Sequence, residues 1–174
     1  MERQASSIRA ERYRDLDGRS VEPWFRRAVL ILLLALAVVA LAGTFGQRPK
    51  HSRATAGAAD LELSSPTRLR GGLYYQAKFT ITAHRKLDSP RLVLRPGWLD
   101  GMTLNTTEPA PSEELNRDGR LVLDYQSLAA GERLAVFLEY QVNPTTTGTR
   151  RQTAELDDGE TAIASISRST TIFP

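Results

Sequence analysis

The side chains of this chain that could do chemistry are few, and they do not fall into any reactive arrangement. Asp157, Asp158 and Glu160 crowd around Gly159, and carboxylates so close together could offer oxygens to Ca²⁺. They lack the alternating Asp-x-Asp spacing of a calcium loop, and a solvated hairpin tip accounts for them equally well. The two histidines are isolated: His51 lies beside Lys50 and Arg53, and His84 beside Arg85 and Lys86. Neighbouring cations oppose a metal ion, so neither reads as a ligand. There is no cysteine, which excludes disulfides, thiol catalysis and soft metal sites. Neither a Gly-x-Ser-x-Gly elbow nor a glycine-rich phosphate loop is present. The expectation is a protein that is not an enzyme and uses no metal or cofactor; a small-molecule ligand stays unknown.

What remains is contact chemistry. Trp98, following Pro96-Gly97, and Tyr74, on the polar side of an alternating run, are the two candidate binding residues. On a surface they would stack on a sugar or grip a partner; in a sandwich a lone Trp is otherwise core or edge cover. Glu113-Glu114 reads as part of a polar loop over 105–119.

Period-two alternation identifies the elements that would position these residues. From Leu73 to His84, the side chains Leu73, Tyr75, Ala77, Phe79, Ile81 and Ala83 share one face and polar residues the other, the mark of a half-buried strand. Glu132–Asn143 repeats the pattern through Leu134, Val136, Leu138, Tyr140 and Val142, with Phe137 unexplained on the outward side. Shorter strands are predicted at 60–64, 91–95, 102–104, 120–125, 149–156 and 161–173. Pro, Gly and Asp-Gly turn formers separate them. About 115 residues with eight strands and no helix fit an all-β, immunoglobulin-like sandwich of seven to eight strands.

The succession of Phe79-Thr80-Ile81-Thr82, Leu92-Val93-Leu94 with Pro96-Gly97, Asp118-Gly119-Arg120-Leu121, Gly131-Glu132 before a long strand, and Thr153-Ala154 near the end resembles the immunoglobulin-like modules of bacterial surface and cell-adhesion-like proteins. The resemblance covers roughly 62–158. It departs where His84-Arg85-Lys86-Leu87-Asp88 replaces the family's usual Asn-x-Gly turn. Such motifs are turn chemistry, so the resemblance implies a fold and no activity.

One segment fixes the chain's location. Residues 28–46 form an unbroken run of nineteen without a charge, about 28 Å long as a helix and close to the hydrocarbon thickness of a bilayer. Seven arginines precede it, with Arg26-Arg27 abutting the run, against Arg48, Lys50 and Arg53 just after. That asymmetry keeps the N-terminus cytoplasmic. Ala40-Leu41-Ala42 and Ala54-Thr55-Ala56 would also suit signal-peptide cleavage, but the long flank with five acidic groups favours an uncleaved anchor. The predicted organisation is a cytoplasmic tail at 1–27, a transmembrane helix at 28–46, a flexible tether at 47–59 and an extracytoplasmic sandwich at 60–174.

Beyond the run, sixteen basic residues face fifteen acidic ones with no basic cluster, which argues against nucleic acid. Arginine outnumbers lysine twenty to three, which suggests a GC-rich bacterial genome. The functional expectation is a single-pass, non-enzymatic protein-binding or scaffolding module of the bacterial cell envelope. Its partners are the bilayer, through 28–46, and another membrane or envelope protein. The alternative is a module for cell-wall or surface glycan, contacted by Trp98 and Tyr74.

Overall fold

The computed structural model describes residues 22–41 and 47–174; the arginines of the predicted tail as far as Arg19, and the end of the apolar run, lie outside them. Helix α1 (Glu22–Leu41) starts earlier than the apolar run. Pro23 sits in its first turn, where a missing N–H costs no hydrogen bond, and Arg26-Arg27 belong to the helix and not to a tail. Its Pro23–Leu41 stretch is long and apolar enough to cross a membrane.

The second unit is all β. Its strands are β1 (Pro49–Thr55), β2 (Ala59–Pro66), β3 (Arg68–Arg70), β4 (Tyr74–Ala83), β5 (Pro90–Leu94), β6 (Met102–Glu108), β7 (Glu113–Arg117), β8 (Arg120–Asp124), β9 (Arg133–Val142), β10 (Gly148–Asp158) and β11 (Thr161–Phe173). They form a five-stranded sheet, β1-β2-β4-β9-β6, and a six-stranded sheet, β3-β11-β10-β5-β8-β7. Within them, β2-β4-β9-β6 and β5-β10-β11 reproduce in chain order the ABED and CFG sheets of an immunoglobulin-like sandwich. The β7–β8 hairpin is an insertion between the fourth and fifth of those core strands.

All eight predicted strands are present, and the three further strands among the described residues, β1, β3 and β7, lie at sheet edges. The flexible tether predicted at 47–59 is contradicted over most of its length, because β1 pairs antiparallel with β2 from Pro49↔Pro66 to Thr55↔Asp60. The predicted 105–119 loop likewise contains the end of β6 and all of β7.

Both long strands face as their alternation demands. Tyr75, Ala77, Phe79, Ile81 and Ala83 of β4, and Val136, Leu138, Tyr140 and Val142 of β9, are buried, whereas Leu73 falls outside β4 and is exposed. Phe137 points outward as the pattern said, and its register partner Lys78 explains how it is tolerated. The ammonium of Lys78 lies 5.2 Å from the ring centroid, a cation–π contact that covers the ring with a charged head and an apolar stem.

With no disulfide available, aromatic packing joins the sheets. Trp98 lies on a single 3₁₀ turn, Pro96–Trp98, directly after β5. Its ring meets Phe79 at 5.5 Å and Tyr140 at 5.9 Å, while Tyr140 stacks on Tyr75 at 5.3 Å. The turn can enter the core only because residue 97 is glycine: a Cβ there would stand 1.9 Å from the carbonyl oxygen of Arg151.

Arg168 of β11 closes the seam between the sheets. Its guanidinium donates to the Ser65 carbonyl at 2.9 Å, the Pro66 carbonyl at 3.4 Å and Gln152 Oε1 at 3.2 Å. Burial lowers its pKa to about 10, because desolvation penalises the charged form.

Candidate functional site

The two aromatic candidates are separated by the sheet itself. Trp98 is fully buried at 0% exposure and has no face to offer a ligand, so its expected binding role is withdrawn. Tyr74, 63% exposed, stands at the start of β4 on the outward side. The buried member of the pair, Trp98, serves as the aromatic hub between the sheets.

The acidic hairpin resolves differently. Gly159 and Glu160 form its two-residue loop, since Asp158 pairs with Thr161, and Gly159 takes the positive φ of +59° that favours glycine. Asp158 Oδ1 accepts a hydrogen bond from the Ser89 backbone N–H at 2.8 Å, so this carboxylate ties the hairpin to the loop before β5. Among the described residues no three His, Asp or Glu side chains are grouped to hold a metal ion.

What sequence reasoning missed is a surface assembled by strand register. On the outer face of the six-stranded sheet, Glu155, Val93, Val122 and Leu115 lie side by side across β10, β5, β8 and β7. Val93 and Val122 floor a groove of about 400 Å³, and Leu115, 47% exposed, extends the apolar strip to the edge strand. The next row toward the acidic hairpin is Asp157, Arg91, Asp124 and Glu113, so that end is predominantly acidic. Arg91 Nε reaches Asp124 Oδ1 at 2.7 Å.

The opposite end is basic. Arg117 and Arg120 face each other directly across the Asp118-Gly119 turn, an arrangement that like charges oppose. Positive φ values of 54° and 70° at Asp118 and Gly119 make this the tight hairpin turn that fixes them there. Neither arginine has a carboxylate partner among the described residues. Arg95 nearby is engaged, its Nη2 2.7 Å from Glu155 Oε1.

Asp157 lines the groove and is half-buried. Burial raises its carboxyl above the usual value, with the neighbouring Glu155 adding to the effect. A groove with an apolar floor, unpaired arginines at one end and carboxylates at the other has recognition chemistry. It has no nucleophile beside a base.

No protein-family model matches the chain, and no curated protein does. Among solved structures the sandwich is similar to a non-cellulosomal cohesin of the archaeon Archaeoglobus fulgidus, at 12% identity over 73% of this chain and 92% of that one, with a TM-score of 0.43. The CARDB domain of the PF1109 protein of Pyrococcus furiosus, solved with di-metal ions, matches at 12% identity over 74% and 91%, with a TM-score of 0.42. The cupredoxin domain of amoB from Nitrosocaldus yellowstonii matches at 10% over 73% and 88%, with a TM-score of 0.40. Likeness at these values transfers no ligand or metal to this chain, and the fold rests on its own strand order.

Proposed function

We propose that this chain is a single-pass protein of the bacterial cell envelope whose helix anchors an extracytoplasmic sandwich, and that the sandwich binds another membrane or envelope protein without catalysing a reaction. The observation that carries the reading is the outer groove, whose apolar strip ends on β7. That edge strand has every residue exposed and one edge unpaired, so its main-chain groups can receive a partner segment in extended form. Arg117 and Arg120 supply one of the side-chain types enriched at interface hot spots. The apolar helix and the arginine asymmetry around it support the anchor, with the N-terminus inside.

The test uses the full chain as bait on detergent-solubilised membranes, beside the variant Leu115→Asp/Arg117→Glu/Arg120→Glu. A protein retained by the parent and lost by about tenfold or more with the variant supports the reading. Retention on insoluble cell wall, abolished by Tyr74→Ala and indifferent to the groove variant, would instead favour glycan binding. That alternative now rests on Tyr74 alone.

A further inference from the structure

The end of the sandwich where β1 begins differs from the rest of its surface. Pro49 pairs with Pro66, two residues before β3, and the turn from β3 to β4 lies beside the end of β11. The Gly71 N–H donates to the Phe173 carbonyl at 2.9 Å and the Gly72 N–H to the Val142 carbonyl at 2.9 Å. Leu73, Tyr74 and Phe173 are thereby gathered at this end, exposed by 47%, 63% and 45%. Leu115 is the fourth exposed large apolar side chain among the described residues of the sandwich. Arg70, the register partner of Phe173, and Lys50, opposite Ser65 near the start of β1, are exposed at the same end. Asp100, on a neighbouring loop, is neutralised by Arg150 at 2.6 Å.

Aromatic and aliphatic side chains accompanied by basic ones are the composition that sits in the headgroup layer of an anionic membrane. We propose that this end of the sandwich docks on the lipid surface, with Tyr74, Leu73 and Phe173 entering the headgroup zone and Lys50 and Arg70 meeting anionic lipid. The inference rests on the anchored reading above. Chain length keeps the sandwich near the bilayer: eight residue steps separate Leu41, the end of the membrane-long stretch, from Pro49. A fully extended chain covers at most about 3.5 Å per step, roughly 28 Å in all, which is less than the thickness of the hydrocarbon core and puts this end of the sandwich within reach of the headgroups. Docking here leaves the groove on the outer sheet face open to a protein partner.

The absence of cysteine allows single labelling sites in the full chain. Thr147→Cys places a fluorophore on the loop after β9, at the docking end, and Lys86→Cys places one on the loop between β4 and β5. Each is reconstituted into vesicles of phosphatidylcholine and phosphatidylglycerol at two to one, with spin-labelled lipid as quencher. Docking predicts several-fold stronger quenching at 147 than at 86. Lys50→Gln/Arg70→Gln should shift the docking equilibrium by about fivefold for each charge removed, and Tyr74→Ser/Phe173→Ser should bring position 147 down to the level of 86. Equal quenching at both sites in a chain that resists carbonate extraction overturns docking and leaves the anchor standing. Concentration-dependent self-quenching at 147 without lipid quenching assigns the surface to a second copy and also overturns it. Release of the chain by carbonate overturns the anchor itself, and the docking with it.

Discussion

The guanidinium carbon of Arg168 lies 5.4 Å from the ring centroid of Trp98, so one side chain covers the aromatic hub of the core and reaches the backbone of the opposite sheet. The hydrogen bonds to Ser65 and Pro66 and the ring contact are separable by mutation. Arg168→Ala loses both and should destabilise the sandwich by about 2–3 kcal/mol, through lost stem packing and two stranded carbonyls. Arg168→Met keeps the stem over the ring and spares the desolvation of a charge, so its loss should be about 1 kcal/mol. Guanidinium chloride unfolding of the full chain in detergent, followed by tryptophan fluorescence, measures both. Equal losses would mean that packing contributes nothing.

Gly97 and Gly131 test two different reasons for glycine. At position 97 an added methyl would meet the Arg151 carbonyl at 1.9 Å, so Gly97→Ala must displace the turn that carries Trp98. A loss of about 3 kcal/mol or more is expected. At Gly131 nothing lies within 4 Å and the difficulty is only the φ of +85°; Gly131→Ala should lose about 1 kcal/mol. Thermal melts of the two variants should rank accordingly.

Two carboxylates should bend the pH dependence of stability in opposite directions. The hydrogen bond from His84 chiefly, with Thr55 and Arg53 helping and burial opposing, holds Asp60 below its ordinary value of 3.8. Its stabilising contribution is complete above that value and is lost as pH falls through the lower folded one. Asp60→Asn should therefore flatten the acid limb of a melting-temperature profile.

Asp157 behaves in reverse, because burial raises its pKa above 3.8. The folded state holds this proton more tightly, so stability is lost as pH rises from 3.8 through the folded value. Asp157→Asn should melt higher than the parent at neutral pH, and the advantage should vanish at about pH 3, below both values. A variant less stable at neutral pH would show that the carboxylate makes a favourable interaction in the groove.

Orientation is tested by fusion. Alkaline phosphatase joined after Pro174 should be active outside the cytoplasm, whereas the same enzyme joined before Ala28 should be inactive, as the arginine excess on the N-terminal side of the apolar run predicts. The reverse pattern would invert the assignment.

The parts of this fold that were legible in the sequence are those where one face is buried and the other is wet. In β4 and β9 every second side chain must be apolar, so the alternation survives in the text of the chain. Edge strands carry no such requirement: β7 is exposed along its whole length, and Pro49-Lys50-His51-Ser52-Arg53-Ala54-Thr55 shows no apolar period because β1 contributes little to the core. The groove was illegible for another reason. Leu115, Val122, Val93 and Glu155 come from four strands and meet only through register, so no local spacing announces them; only the acidic hairpin at one end was visible. Trp98 could be read either way, and the decision belongs to Gly97, whose missing Cβ lets the turn sink inward.

The replacement of a slack tether by β1 has a mechanical consequence. The chain enters the sandwich through its outermost strand, which is zipped to β2 alone, so under the proposed anchoring and partner capture tension would fall first on Pro49 and the pairs behind it. Peeling β1 would pay out seven residues, about 23 Å of extended chain, while the Trp98 hub and the seam at Arg168 stay closed. The edge strand is stored length, a leash kept wound until it is pulled.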